Sequence, residues 1–178
     1  MSTGVKIFFG IVLLQVLYLG VTSAIYEQRL TTGTPILLET VPVDPRDLLR
    51  GDYVILRYKI STIPKTLFDP PLLEEDQPFA GQEIYVALER RGEFHEAVQA
   101  AFYPMDAAPG QVVVRGTVED QPWQSDIAVA YGVERYYVRE GTGNPEGTVT
   151  VEAVVSWEGV VQIKQVFVDG APYSAAMK

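Results

Sequence analysis

Nineteen consecutive uncharged residues, Ile7 to Ile25 (IFFGIVLLQVLYLGVTSAI), constrain this chain more than any other stretch. Only Gln15, Thr22 and Ser23 within it are clearly polar. A helix crosses a bilayer core with about 20 predominantly apolar residues, so the stretch predicts one membrane span with little to spare. Lys6 precedes it, and Glu27 and Arg29 follow closely. The rival reading is a cleaved signal peptide, since Val21 and Ser23 are small enough for cleavage before Ala24. The apolar run exceeds the roughly 7–15 residues of a signal h-region, which favours a retained anchor. The predicted division is a short cytoplasmic head and transmembrane anchor at 1–26, then an extracytoplasmic β-rich domain at 27–178.

Charge bears on orientation and on partners. Arg29, Arg46 and Arg50 beyond the span oppose the usual positive-inside assignment. A head of a few residues before a first span nevertheless resembles a signal anchor with the remainder exported. After Lys6 the chain carries 13 basic against 23 acidic residues, a balance of -10. Such a domain is repelled from an anionic cytoplasmic leaflet. The expected location is therefore outside, on a single-pass anchor. The whole chain, at a net charge of -9, lacks the clustered Lys and Arg that nucleic acid requires, so no nucleic-acid partner is expected. With no cysteine and a single histidine, thiolate zinc, Cys-ligated iron–sulfur and C-x-x-C-H haem chemistries are excluded. No cofactor and no metal are expected.

From Thr32 onward, apolar residues recur at every second position. Val54, Leu56, Tyr58 and Ile60 share one face, with Arg57 and Lys59 on the other. Ile84, Val86 and Leu88 repeat the pattern, as do Val112, Val114 and Val118, and then Ile127, Val129, Tyr131 and Val133. Val149, Val151, Ala153, Val155 and Trp157 form the longest run, which meets Val160 to Val168 across a Glu158-Gly159 turn. A phase slip between Ile163 and Val166 predicts a bulge near Lys164-Gln165. Arg91-Gly92 predicts a second hairpin turn, between strands at 82–90 and about 94–103. Helix is scarce after the anchor; Asp44 to Leu49 fits a single turn, with Asp44 as N-cap and Pro45 first. Residues 62–80 hold four prolines and no sustained alternation, which predicts a long surface loop, open to variation or partner contact. The fold class expected is all-β: an antiparallel sandwich or partly open barrel of about eight strands behind one transmembrane helix.

Gly51-Asp52-Tyr53-Val54-Ile55-Leu56-Arg57-Tyr58 is a complete G-D-Y-x-x-L-x-Y, preceded by Pro42-Val43-Asp44-Pro45-Arg46-Asp47. This combination resembles the GDYXXLXY family of bacterial membrane-anchored proteins. Residues 131–147 (YGVERYYVREGTGNPEG), with Glu140-Gly141 and Glu146-Gly147, resemble that family's second block, and the terminal hairpin ending at Asp169-Gly170 is similar too. The resemblance covers roughly residues 5 to 170. It implies an N-terminal membrane anchor and an exported β-rich domain, and carries no settled activity with it; the location expected is the bacterial cytoplasmic membrane, with the domain on the periplasmic or extracytoplasmic side. Within the motif, Gly51 suits a positive φ at strand entry and Asp52 suits hydrogen bonding to nearby amides. Leu56 and Tyr58 are expected to pack inward, with Tyr53 on the opposite face. Gly51, Asp52, Tyr53, Leu56, Tyr58 and Glu140 are the candidate motif or interface residues, and the reading favoured for them is a folding signature.

The catalytic inventory is thin. A Gly-Asp pair leading a strand after an anchor is also similar to type I signal peptidases, which use a Ser nucleophile and a Lys base. No serine stands between Ser23 and Ser61, and neither Lys59 nor Lys65 has one at a recognisable spacing. His95 lies between Glu93 and Glu96 and is expected to be a half-exposed strand histidine with a carboxylate partner. Glu74-Glu75-Asp76 and Glu119-Asp120 lack any EF-hand spacing and read as solvated loops. Tyr131, Tyr136 and Tyr137, with Trp123, fit a binding face or sheet surface. No catalytic residue is assigned. The expectation is a non-catalytic accessory or structural subunit whose partners are the membrane and other integral membrane subunits. Gln15, Gly10 and Gly20 are candidates to face a neighbouring helix. The alternative is an extracytoplasmic enzyme or ligand-binding module of the envelope, built on Asp52, Tyr53 and Glu140.

Overall fold

The computed structural model describes residues 3–41, 53–73, 75–76, 78–120, 126–137 and 147–173. Helix α1 (Thr3–Thr32) contains the whole uncharged stretch and extends past it by seven residues, with no buried residue along its length. It is long and apolar enough to cross a membrane. At about 1.5 Å per residue its 30 residues rise about 45 Å, more than a bilayer core. Gly33 ends it: its N–H donates to the Arg29 carbonyl at 2.9 Å, and the chain turns directly into a strand. A Cβ at Gly33 would lie 2.6 Å from the Arg29 carbonyl and 3.0 Å from that of Val155, so only glycine fits this joint.

The remainder is β. The strands are β1 (Thr34–Val41), β2 (Tyr53–Ile55), β3 (Arg57–Tyr58), β4 (Thr62–Ile63), β5 (Glu83–Arg91) and β6 (Phe94–Ala101). They continue as β7 (Gln111–Val118), β8 (Ile127–Ala130), β9 (Arg135–Tyr137), β10 (Val149–Val155), β11 (Val161–Val168) and β12 (Ala171–Pro172). One five-stranded sheet runs β12-β11-β10-β1-β3, a second runs β4-β8-β7-β5-β6, and β2 and β9 form a separate ribbon. Every pairing between the described strands is antiparallel. One continuous hydrophobic cluster draws Ile36, Leu38, Val151 and Val166 from the first sheet and Ile84, Leu88, Val114 and Val129 from the second. The described strands close no barrel. The twelve strands among the described residues exceed the expected eight because five of them have only two or three residues. Alternation cannot register so short a pairing.

Several sequence expectations hold in detail. The β10–β11 register pairs Glu152 with Gln165 and Ala153 with Ile163, leaving Lys164 as the extra residue of a bulge. Gly92, at φ 67, turns β5 into β6, with Arg91 opposite Phe94. Three expectations need correction. Tyr53 to Ile60 is not one strand: β2 pairs with β9 and β3 pairs with β1, and a 3-10 turn follows over Lys59–Ser61. Val54, Leu56, Tyr58 and Ile60 nevertheless all stay buried, because the chain changes partner without changing face.

Trp157 does not continue the buried run of β10. The strand stops at Val155, where Ser156 and Gly159 close a turn through Gly159 N–H to Ser156 O (2.9 Å) and Ser156 N–H to Val160 O (3.0 Å). That turn lifts Trp157 out of the sheet, and it is 92% exposed. Residues 62–80 are also not loop throughout. β4 pairs with β8, a 3-10 turn covers Lys65–Leu67, and Ile63 and Phe68 enter the core. Prolines break the alternation there without removing the burial. The expected turn at Asp44 to Leu49 lies outside the described residues.

Candidate functional site

Among the six candidate residues, Gly51, Asp52 and Glu140 lie outside the described residues. Tyr53 is described through its backbone, which pairs with Tyr137. Leu56 and Tyr58 are 4% and 1% exposed and belong to the core. The structure therefore brings Leu56 and Tyr58 inward together, as expected.

Their surroundings tie the signature to the second block. β2 runs against β9, with Val54 opposite Tyr136 and Ile55 opposite Arg135. The Leu56 N–H then donates to the Glu134 carbonyl at 2.8 Å. The Tyr58 hydroxyl donates to the Val133 carbonyl at 2.7 Å, and the Tyr131 hydroxyl donates to the Ile60 carbonyl at 2.7 Å. Two buried tyrosines thus cross-link the same two segments in opposite directions. Such pairing satisfies both phenols and two backbone carbonyls that would otherwise be left without partners in an apolar core. Glu134 closes the connection, its carboxylate accepting from the Tyr131 N–H at 2.5 Å. Burial first, and then the Glu134 charge, push both phenols well above their ordinary range, so they remain protonated donors.

A second junction joins Gly147 of the later block to Asp169 of the terminal hairpin. The Asp169 carboxylate accepts from the Thr148 N–H at 2.9 Å, and the Asp169 N–H donates to the Thr148 carbonyl at 2.9 Å. Asp169 adopts φ 49 to do so, and a Cβ at Gly147 would collide with its carboxylate.

Other candidates for chemistry are engaged elsewhere. Ser61 Oγ accepts from the Tyr58 N–H at 3.4 Å. Lys59 Nζ donates to Glu96 at 3.1 Å and Glu39 at 3.3 Å, bonds that hold its ammonium above the ordinary lysine range. Lys65 sends its ammonium to the carbonyls of Leu73 (3.1 Å) and Asp76 (2.7 Å). His95 does not take the carboxylate partner expected of it. Its Nδ1 accepts from the Leu37 N–H at 3.1 Å, so the imidazole stands beside β1 at a position that β3, paired only with Thr40 and Val41, does not reach. No group of three or more metal-ligating side chains occurs among the described residues. Trp123 lies outside them; Tyr136 stacks obliquely on Tyr173 at 6.4 Å between ring centres.

Sequence reasoning missed the reciprocal tyrosine bonds and the Gly147–Asp169 junction. Both depend on tertiary pairing between distant segments, for which the only sequence signal was the co-occurrence of the blocks.

An apolar helix able to span a membrane, joined to an antiparallel two-sheet domain that the two blocks knit together, defines the class of this protein. The chain belongs to the GDYXXLXY protein family, whose model matches residues 15–166. Comparison with curated proteins and with solved structures gave no match.

Proposed function

We propose that this protein is a non-catalytic accessory subunit of a larger membrane complex, held by α1 as a single-pass anchor in a bacterial cytoplasmic membrane with its β-domain on the periplasmic side. The observation that carries the reading is the engagement of the family signature in folding. Leu56 and Tyr58 are core residues, and the phenols of Tyr58 and Tyr131 are committed to backbone carbonyls. A signature used in this way specifies a shape to be recognised by neighbours. Helix α1 supports the same reading, because no residue along its apolar length is buried. Gln15 offers it a polar contact, and Gly10 and Gly20, on other faces of the helix, offer close approach to neighbouring helices.

Purification from native membranes in a mild detergent tests the proposal. The expected result is co-migration with integral membrane proteins through native electrophoresis and size exclusion. A chain that migrates alone, at its own mass plus detergent, overturns it. Cleavage of the β-domain by protease added to intact spheroplasts tests the orientation.

A further inference from the structure

Trp157 stands at the tip of the β10–β11 hairpin, and the adjoining Glu158 is ion-paired with Arg29 in the last turns of α1. We infer that this hairpin tip is a membrane-interface foot: Trp157 sits in the lipid headgroup layer and holds the β-domain against the bilayer in one orientation. The inference rests on α1 being a membrane anchor.

The level of the tip follows from the helix. From Ile25, the last residue of the uncharged stretch, to Arg29 the axis rises about 6 Å at 1.5 Å per residue. Headgroups add about 5–7 Å to each side of a 30 Å hydrocarbon core. Arg29 is therefore at headgroup depth, and its bond to Glu158 brings the hairpin tip to the same level. Tyr26, half exposed one residue after the apolar stretch, marks that layer on the helix itself. Trp and Tyr concentrate there because the ring is apolar and its N–H or O–H is wetted.

The foot is braced. Gly33 allows no slack between α1 and β1, whose Thr34 pairs with Val155 at the end of β10. On the other side the Arg115 N–H of β7 donates to the Gly159 carbonyl at 2.8 Å. The tip is thereby fixed both to the helix and to the second sheet. The turn holds the indole almost fully exposed, with no partner among the described residues, and lipid at its own depth supplies one.

Full-length protein reconstituted in phosphatidylcholine vesicles tests this. The difference in emission between the wild type and Trp157→Ala isolates the 157 indole from Trp123. The expected result is blue-shifted emission from Trp157 that is lost when the lipids are brominated near the glycerol end of their chains. A tryptophan moved to the far end of the sheet by A171W in a W157F background lies about 20 Å away along β10 and keeps its emission. If the vesicles retain the protein through an alkaline carbonate wash while Trp157 is quenched by aqueous iodide and not by bromolipid, the foot is overturned and the anchor stands. Release of the protein by the wash overturns the anchor, and the foot with it.

Discussion

The Tyr58 hydroxyl donates to the Val133 carbonyl at 2.7 Å, while Tyr131, two residues before Val133, returns a bond of equal length to Ile60. Removing either phenol orphans a carbonyl in a well-packed core. Tyr58→Phe and Tyr131→Phe are each expected to destabilise the domain by about 1–3 kcal/mol in urea unfolding. The double variant should differ from the sum by about 0.5 kcal/mol or more, because both bonds join the same segments. The phenols also carry a pH signature. Their folded pKa lies above the ordinary 10, so their stabilisation is complete below pH 10 and is lost at higher pH, as the unfolded tyrosines ionise first. A melting temperature that falls above pH 10 no more steeply in the wild type than in the double variant contradicts this.

Much of this fold was legible because burial alternates wherever a strand has one wet face. The runs Ile84-Val86-Leu88 and Val54-Leu56-Tyr58-Ile60 both keep their buried phase in the structure. Alternation reports a face, however, and says nothing of which strand lies alongside. For that reason the switch of partner at Leu56, from β9 to β1, left no trace in the pattern. Trp157 misled for a related reason: it stands in phase with β10, and only the turn bonds of Ser156 and Gly159 take it out of the strand. The bulge at Lys164 was visible because an extra residue shifts the phase itself.

Gly116 is where the second sheet is packed too tightly for a side chain. A Cβ there would lie 2.5 Å from Val129 Cγ1 and 3.1 Å from the Tyr131 ring. Gly116→Ala is expected to cost about 1–3 kcal/mol through overpacking, read from the urea midpoint. Combining it with Val129→Ala, which removes the nearest obstructing methyl, should give a loss smaller than the sum of the two single changes. Strict additivity shows that the Ala methyl finds space without pressing on Val129.

His95 predicts a stability change on the acid side. Burial depresses its pKa below the ordinary 6.5, the nearby Arg90 charge acts in the same direction, and the Nδ1 lone pair that accepts from Leu37 exists only in the unprotonated ring. A depressed folded pKa gives a contribution fully present above about pH 6.5 and lost as pH falls through the folded value, because the unfolded chain takes up the proton first. His95→Asn places an amide oxygen near the Nδ1 position and does not titrate. Its melting temperature should decline less between pH about 7 and 5 than that of the wild type. Parallel declines remove His95 from the account.

Lys65 is 8% exposed, and two carbonyls accept from its ammonium: Nζ reaches Leu73 at 3.1 Å and Asp76 at 2.7 Å. The segment that returns to it carries its own turn, in which the Asp76 carboxylate accepts from the Leu73 N–H at 2.7 Å. Lysine here does what a strand neighbour does elsewhere, supplying donors to a backbone that has no ladder. Lys65→Met keeps the buried stem and removes the ammonium. It is expected to lower global stability by about 1.5–3 kcal/mol, the range for hydrogen bonds from a charged group. The local effect is the sharper readout. With both carbonyls released, proteolysis between Phe68 and Phe79 should accelerate relative to cleavage elsewhere, since local opening there no longer breaks the two ammonium bonds. Equal acceleration at all sites means that Lys65 supports the domain as a whole, and unchanged cleavage means that the turn at Leu73–Asp76 holds without it.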